Sequence, residues 1–462
     1  MTDEPTRTAG TTGTTGTTRT AIDKASLPLS YEQRDYFGLE RHGYGAIPAC
    51  SRILGPFDEQ ALTAAARHVI DRHEPLRMRL HRAAGHVTQT FDAPGVRPVA
   101  WVTSPADEPG RFEASLRADL DRERDGAVRL QLLREGPGQT VALAMVDHLA
   151  CDAWGARVFL RELWTAYRMI VGGERLSPPL TYHYSDYIGM QQARAARPSR
   201  AAEQFWHAYA ERYAASSSGL SHQGPAEPGA GRSDLSTVVP ASSVQRAREL
   251  ARQLNVSVNS LPLACLVLAA WSMGDAGSVG VSFIYAGRDA AQTRPLVGAF
   301  HRTLPMLIED IRARSVAEFV TGVSAAMLRS MQRSRAPYSA RGFDAAVSVH
   351  RQAPRVGILY NQVPTIFGKP MSDEPLRLGG QTTVEFPTPH FWPCRWHQYA
   401  EPRLRVVVGG GSSPTLRAIF NAAAIPEEDA SAILTRTAAF LGAIRDDTPL
   451  SPVPAFAESA LA

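Results

Sequence analysis

Two mixed α/β halves joined by a linker are the architecture this sequence predicts, and three observations predict it. The chain has 462 residues, enough at roughly 100–200 residues per domain for two or more core-bearing units. Short apolar runs rich in β-branched residues alternate along it with segments of helical spacing, the pattern of a mixed fold. A Ser-, Gly- and Pro-rich stretch, from Ser216-Ser217-Ser218-Gly219 to Gly229-Ala230-Gly231, has no periodicity and parts the chain near its middle.

Residues 1–26 read as a disordered Thr/Gly-rich tail, with too little apolar surface to offset the entropy of ordering it. Residues 27–215 are expected to form the first half. Within them, residues 57–71 place Leu62, Ala65, Ala66, Val69 and Ile70 at helical spacing behind Asp58, a capping residue. Residues 141–146 predict a buried strand, and residues 154–170 return to helical spacing. Residues 216–235 form a linker or long loop, and residues 236–462 the second half. There, helices are expected over 241–254, 261–271, 316–331 and 426–441, and strands over 279–284, 355–360 and 404–408. The lack of a short internal period excludes solenoids and propellers.

Composition excludes several classes of function. Of 49 basic residues only Lys24 and Lys369 are lysines, and the net charge of +4 is spread along the chain, unlike the concentrated patch of a nucleic-acid binder. No apolar run approaches the roughly 18 residues of a membrane span, so a soluble protein is expected. No secretory signal is visible at the N-terminus, and a reducing cytoplasm is the expected location. The cysteines Cys50, Cys151, Cys265 and Cys394 lie far apart without a CxxC, which suggests neither a disulfide framework nor a metal site. GxxxxGK[ST], GxSxG and HExxH are all absent, which counts against nucleotide hydrolysis, serine hydrolysis and zinc proteolysis. The run from Gly409 to Ser413 reads as a flexible turn.

The segment that carries chemistry is Met145-Val146-Asp147-His148-Leu149-Ala150-Cys151-Asp152-Ala153-Trp154-Gly155. It puts a histidine at the exit of a buried strand and an acid four residues on, at the start of a helix. An imidazole held there can take a proton from an amine or alcohol as that group attacks an acyl carbon. A purely structural reading of the same pattern has His148 satisfying backbone groups and Asp152 capping the helix.

This segment resembles the HHxxxDG core motif of the condensation domains of nonribosomal peptide synthetases. Five further stretches resemble that family in the same order. They are Leu29-Ser30-Tyr31-Glu32-Gln33-Arg34; Leu54-Gly55-Pro56-Phe57-Asp58 with Arg72-His73-Glu74-Pro75-Leu76-Arg77; Tyr184-Ser185-Asp186-Tyr187 with Gln191 and Phe205-Trp206; Gly287-Arg288 with Val297-Gly298-Ala299-Phe300 and Thr303-Leu304; and Leu359-Tyr360-Asn361. The resemblance implies two chloramphenicol-acetyltransferase-like subdomains in a V-shaped pseudo-dimer with a central active-site tunnel. It further implies a stand-alone condensation enzyme joining a carrier-protein-bound acyl thioester to an amine or hydroxyl. The donor would arrive on the phosphopantetheine arm of that carrier, with no permanently bound cofactor and no metal.

By the same resemblance, His148 is the catalytic residue, and Asp152 pairs with Arg288 to hold its loop. Asn361 lies near the tunnel floor. Two positions depart from the motif: Asp147 stands in place of its first histidine and Ala153 in place of its glycine. Ala153 with Trp154 then borders the donor approach, and His301, together with Arg302, either faces the tunnel and selects the acceptor or lies at the surface. His73 and Arg77 read as structural. Cys151 is not read as a nucleophile, since a neighbour in sequence is not a dyad in space. The stretch His390-Phe391-Trp392-Pro393 with Trp396-His397 reads as packing or a pocket wall. The alternatives are a coenzyme A-dependent acyltransferase of the same superfamily, and a degenerate docking domain that recruits a partner enzyme.

Overall fold

The computed structural model describes residues 26–37, 45–83, 85–96, 99–104, 114–115, 120, 126–196, 200–217, 219–220, 232–274, 277–335, 339–350, 356–362, 375–379, 381–386, 403–409, 415–445 and 448–462. The first half runs β1 (Leu27–Pro28), α1 (Tyr31–Phe37), β2 (Ala46–Leu54), α2 (Glu59–Arg72), β3 (Met78–Ala83), β4 (His86–Phe91), β5 (Val102–Ser104), β6 (Val128–Gly136), β7 (Gln139–Asp147), α3 (Ala153–Val171), α4 (Tyr184–Ala195) and α5 (Arg200–Ala215). The second runs β8 (Arg232–Val238), α6 (Ala241–Gln253), α7 (Ser260–Ser272), β9 (Ser278–Tyr285), β10 (Arg302–Glu309), α8 (Val316–Arg333), α9 (Ala340–Val349), β11 (Gly357–Gln362), β12 (Leu376–Gly379), β13 (Thr382–Glu385), β14 (Arg403–Gly409), β15 (Thr415–Asn421), α10 (Glu427–Ala443) and α11 (Val453–Leu461).

The local reasons are visible in the side chains. Asp58 starts α2 by accepting the amides of Gln60 and Ala61 at 2.8 and 3.0 Å, and the helix then buries Ala61, Leu62, Ala65, Ala66, Val69 and Ile70. Ser315 and Glu318 form a capping box that starts α8. Helix α7 is apolar all round and buried from Ser260 to Ala270, which makes it a central helix of its core. Strand β7 is buried from Thr140 to Asp147, and pairs antiparallel with β2 in a register that sets Ala46 opposite Asp147.

Each half carries a six-stranded sheet, in the orders β12-β13-β2-β7-β6-β5 and β10-β9-β11-β14-β15-β8, and β1, β4 and β3 make a small third sheet. Two elements cross the division drawn at residues 216–235. Strand β13, sequentially in the second half, pairs with β2 and so extends the first half's sheet. Helix α5, sequentially in the first half, sets Trp206, Ala210 and Tyr213 into the second half's core. Apolar periodicity says which face of an element is buried, not which core buries it, so these two crossings are invisible to it. A smaller cluster of Leu27, Tyr184, Tyr187, Ile188, Leu296 and Phe300 fills the seam between the halves. Among the described residues no helix is long and apolar enough to cross a membrane.

Candidate active site

His148 follows the last residue of β7, where the chain turns sharply before α3. The Asp147 carboxylate accepts the Leu149 amide at 2.8 Å and its carbonyl accepts that of Ala150 at 2.9 Å, so the residue that departs from the motif builds the turn that carries the imidazole. Gln33 of α1 supports the turn from below, its amide donating to the Leu149 carbonyl at 2.9 Å and to Gln89 at 3.0 Å.

Asp152 caps α3 by accepting the Gly155 amide at 2.7 Å. Arg288 Nη2 donates to that same oxygen, Oδ1, across the seam at 2.9 Å, and the other oxygen, Oδ2, accepts the Phe300 amide at 3.0 Å. The guanidinium also donates to the carbonyls of Thr293, Leu296 and Gly298 at 2.6, 2.8 and 3.2 Å, and lies 4.2 Å over the Phe300 ring. Both side chains are buried. A buried pair of this kind fixes geometry at a desolvation cost, and each partner strands the other when removed.

Around His148 the structure gathers groups from both halves. The ring of Tyr36 stacks on it, centroids 4.7 Å apart at 17°. The His301 ring lies 5.2 Å from His148 and 4.6 Å from Tyr36, whose hydroxyl shares a hydrogen bond with His301 Nε2. Burial pushes His148 down to about 4 and His301 to about 3; the Arg405 cation lowers both further, while Asp152 and Asp147 act on His148 in the opposite sense. Both imidazoles are therefore free bases at neutral pH. Beside them a second buried network joins the halves: Glu32 accepts from Arg302 at 2.6 Å, from Tyr187 at 2.9 Å and from Gln191 at 2.9 and 3.1 Å.

Trp154 reaches across the seam to donate to the Arg294 carbonyl at 3.0 Å, and Ala153 is exposed in the first turn of α3. Asn361 sits opposite Val407 in the β11–β14 register, two residues beyond the pair Leu359 and Arg405. Ile358, Tyr360, Leu404, Val406 and Val408 enter the second core, so Asn361 and Arg405 share the opposite face. No hydrogen bond joins the Asn361 side chain to the imidazoles among the described residues. His73 accepts the Val297 amide at Nδ1 (3.2 Å) and donates to Glu162 from Nε2 (3.0 Å), while Arg77 donates to the Ile70 carbonyl; these partners give both a packing role. Burial raises the Cys151 thiol well above its ordinary range, the opposite of an activated nucleophile. Residues 390–397 and 410–413 lie outside the described residues.

Tyr36, Arg405 and the partnering of Arg302 with Glu32 lie outside what the sequence suggests, which sets Arg302 beside His301 toward the tunnel. Arg405 leaves a signal in the sequence, a lone charge inside the apolar run 404–408. Tyr36 leaves none, because α1 is too short for periodicity to assign its face.

The family model described as Condensation domain matches residues 28–340. An isonitrile lipopeptide synthase of Mycobacterium tuberculosis is 28% identical over 340 residues, 68% of this chain but 13% of that protein. Among solved structures, the X-domain from teicoplanin biosynthesis in complex with OxyB superposes with a TM-score of 0.70 at 19% identity, covering 93% of this chain and 95% of that one. A mutant of the starter condensation domain of rhizomide synthetase RzmA in complex with C8-CoA gives a TM-score of 0.70 at 17% identity, covering 93% and 96%.

Proposed function

The chain belongs to the condensation-domain family, and on that premise we propose that it transfers an acyl group from a carrier-bound thioester to an amine or a hydroxyl, forming an amide or ester. The observation that supports this best is a free-base imidazole, His148, at the end of a rigid strand and locked by the Asp152–Arg288 pair. The acceptor nitrogen attacks the thioester carbon, and its proton becomes strongly acidic as the C–N bond forms. Even an imidazole of low basicity can accept that proton. The C–S bond then breaks and the proton passes to the departing pantetheine sulfur, which leaves as a thiol. The thioester is already activated, so alignment of the two reactants supplies much of the acceleration. The phosphopantetheine arm is a substrate group delivered by an acyl- or peptidyl-carrier protein. In this reading Tyr36 and His301 wall the acceptor side, Trp154 and Ala153 border the donor approach, and Asn361 lies on the floor.

Two other readings have specific support. The RzmA domain was solved with an acyl-coenzyme A, which favours a free thioester as donor. The X-domain was solved bound to OxyB, which favours recruitment of a partner enzyme. Mass spectrometry of the purified chain with acyl-loaded carrier proteins and a panel of amines separates the three. Amide formed from the carrier by wild type and not by His148→Ala supports condensation, and better use of acyl-coenzyme A selects the second reading. A carrier that binds without any transfer, indifferent to His148→Ala, sinks the enzymatic proposal in favour of docking.

A further inference from the structure

Three side chains from two helices that pack in the second half's core converge. His207 and Glu211 stand four residues apart on α5, and His350 caps the C-terminus of α9. His207 Nδ1 lies 3.7 Å and His350 Nε2 4.0 Å from the same Glu211 oxygen, and the three ligand atoms all lie within 4.8 Å of one another. The two imidazoles meet edge to face, 5.5 Å apart at 70°, so their nitrogens converge without the rings stacking. From this geometry we propose that His207, Glu211 and His350 form a binding site for a divalent transition metal of the zinc class, which ties α9 to α5.

The chemistry fits that class. Two imidazoles and one carboxylate form the donor set zinc takes in many three-ligand sites, with bonds of about 2.0–2.2 Å and a fourth position left to water. Tetrahedral bonds of that length set neighbouring donors about 3.3 Å apart, so closure asks the His207 and His350 nitrogens, 3.7 and 4.0 Å from Glu211, to approach it by about 0.4 and 0.7 Å, and the widest pair, within 4.8 Å, to close by up to about 1.5 Å. The three side chains are exposed and free to make that adjustment. Calcium and magnesium are disfavoured because they take oxygen donors. The Glu211 carboxylate sets a negative group between the two imidazole donors, which attracts a cation.

The frame beneath the site is rigid. Phe343 of α9 packs edge-on against Trp206 and Tyr213 of α5, at 5.8 and 5.4 Å, and at 6.1 Å from Tyr209. The backbone positions that carry the ligands are thus set by core packing. Among the described residues the three side chains find their polar partners in one another.

The test uses tag-free full chain, stripped with a chelator and desalted, titrated with zinc chloride by calorimetry. One ion per chain is expected, with a Tm that rises on zinc addition. His207→Ala, His350→Ala and Glu211→Gln should each weaken binding roughly tenfold or more, whereas His86→Ala, at an exposed histidine on β4, leaves it unchanged. Cobalt in place of zinc should give a visible absorption band that His350→Ala abolishes. Failure of the wild type to take up zinc overturns the site, as does uptake that persists in the folded His207→Ala/His350→Ala double variant. Circular dichroism of each variant checks the fold, and none of these readouts depends on acyl transfer.

Discussion

A histidine that titrates below its unfolded value couples catalysis and stability to pH in a defined sense. In the unfolded chain both site imidazoles protonate near pH 6.5, whereas in the folded protein His148 does so at about 4 and His301 at about 3. The unfolded state binds more protons between those limits, so both groups add stability above pH 6.5 and lose it as the pH falls. Near pH 5 each contributes a slope of up to about 1.4 kcal/mol per pH unit. Urea denaturation from pH 4.5 to 7 should show a steep acid limb, and His148→Gln/His301→Gln should flatten it; an unchanged limb would mean that the imidazoles are not buried as free bases. On the reading of His148 as the base, acyl transfer should have no acid limb near pH 6.5. His148→Ala should lower the transfer rate by about 10²–10⁴-fold with little change in fold. Asp152→Ala should act through folding. It strands Arg288 and uncaps α3, at a cost of about 3–5 kcal/mol, which thermal denaturation reads directly. An Asp152→Ala variant with wild-type Tm and activity would refute a structural role for the pair.

Elements show why some features were legible in the sequence and others were not. Helix α2 and strand β7 were legible because each buries one consistent face or both faces, and the predicted strands over 279–284 and 404–408 fall within β9 and β14. The helix over 57–71 starts two residues late because Asp58 is its cap and not its first turn. The partners of β13 and α5 were not legible, since no local pattern encodes a choice between two cores. Close approaches between elements were also hidden. Gly155 in the first turn of α3 touches the bend at Gly298 so closely that a Cβ there would lie 2.9 Å from Cys151 Sγ and 3.2 Å from the Gly298 amide. Gly298 is tighter, since a Cβ there would stand 2.6–2.8 Å from the rings of Phe300 and Tyr184. Both sites pack against the Asp152–Arg288 pair, so overpacking should cost about 1–3 kcal/mol at Gly155→Ala and more at Gly298→Ala. Denaturant midpoints of the two variants check the order, and equal stability of Gly298→Ala with wild type would contradict the packing described.

At the scale of the whole molecule, the halves are interlocked and not merely linked. The first half's sheet is completed by β13 from beyond residue 375, and the second half's core is completed by Trp206, Ala210 and Tyr213 from before residue 216. Asp152–Arg288 and Glu32–Arg302 then join the halves across the seam. Each half depends on a piece that the other half's stretch of chain supplies, so separation at the linker leaves one sheet edge bare and one core open. Calorimetry of the intact chain should therefore give one cooperative transition, and a fragment of residues 232–462, which keeps β8 whole, should lack fixed tertiary structure by near-ultraviolet circular dichroism. Beginning that fragment at residue 200 restores α5 and should recover cooperative unfolding, because the missing core faces return with it. If residues 232–462 fold cooperatively without α5, the helix is only an accessory to that core, and the site between the halves would rest on the two buried ion pairs and the small seam cluster alone.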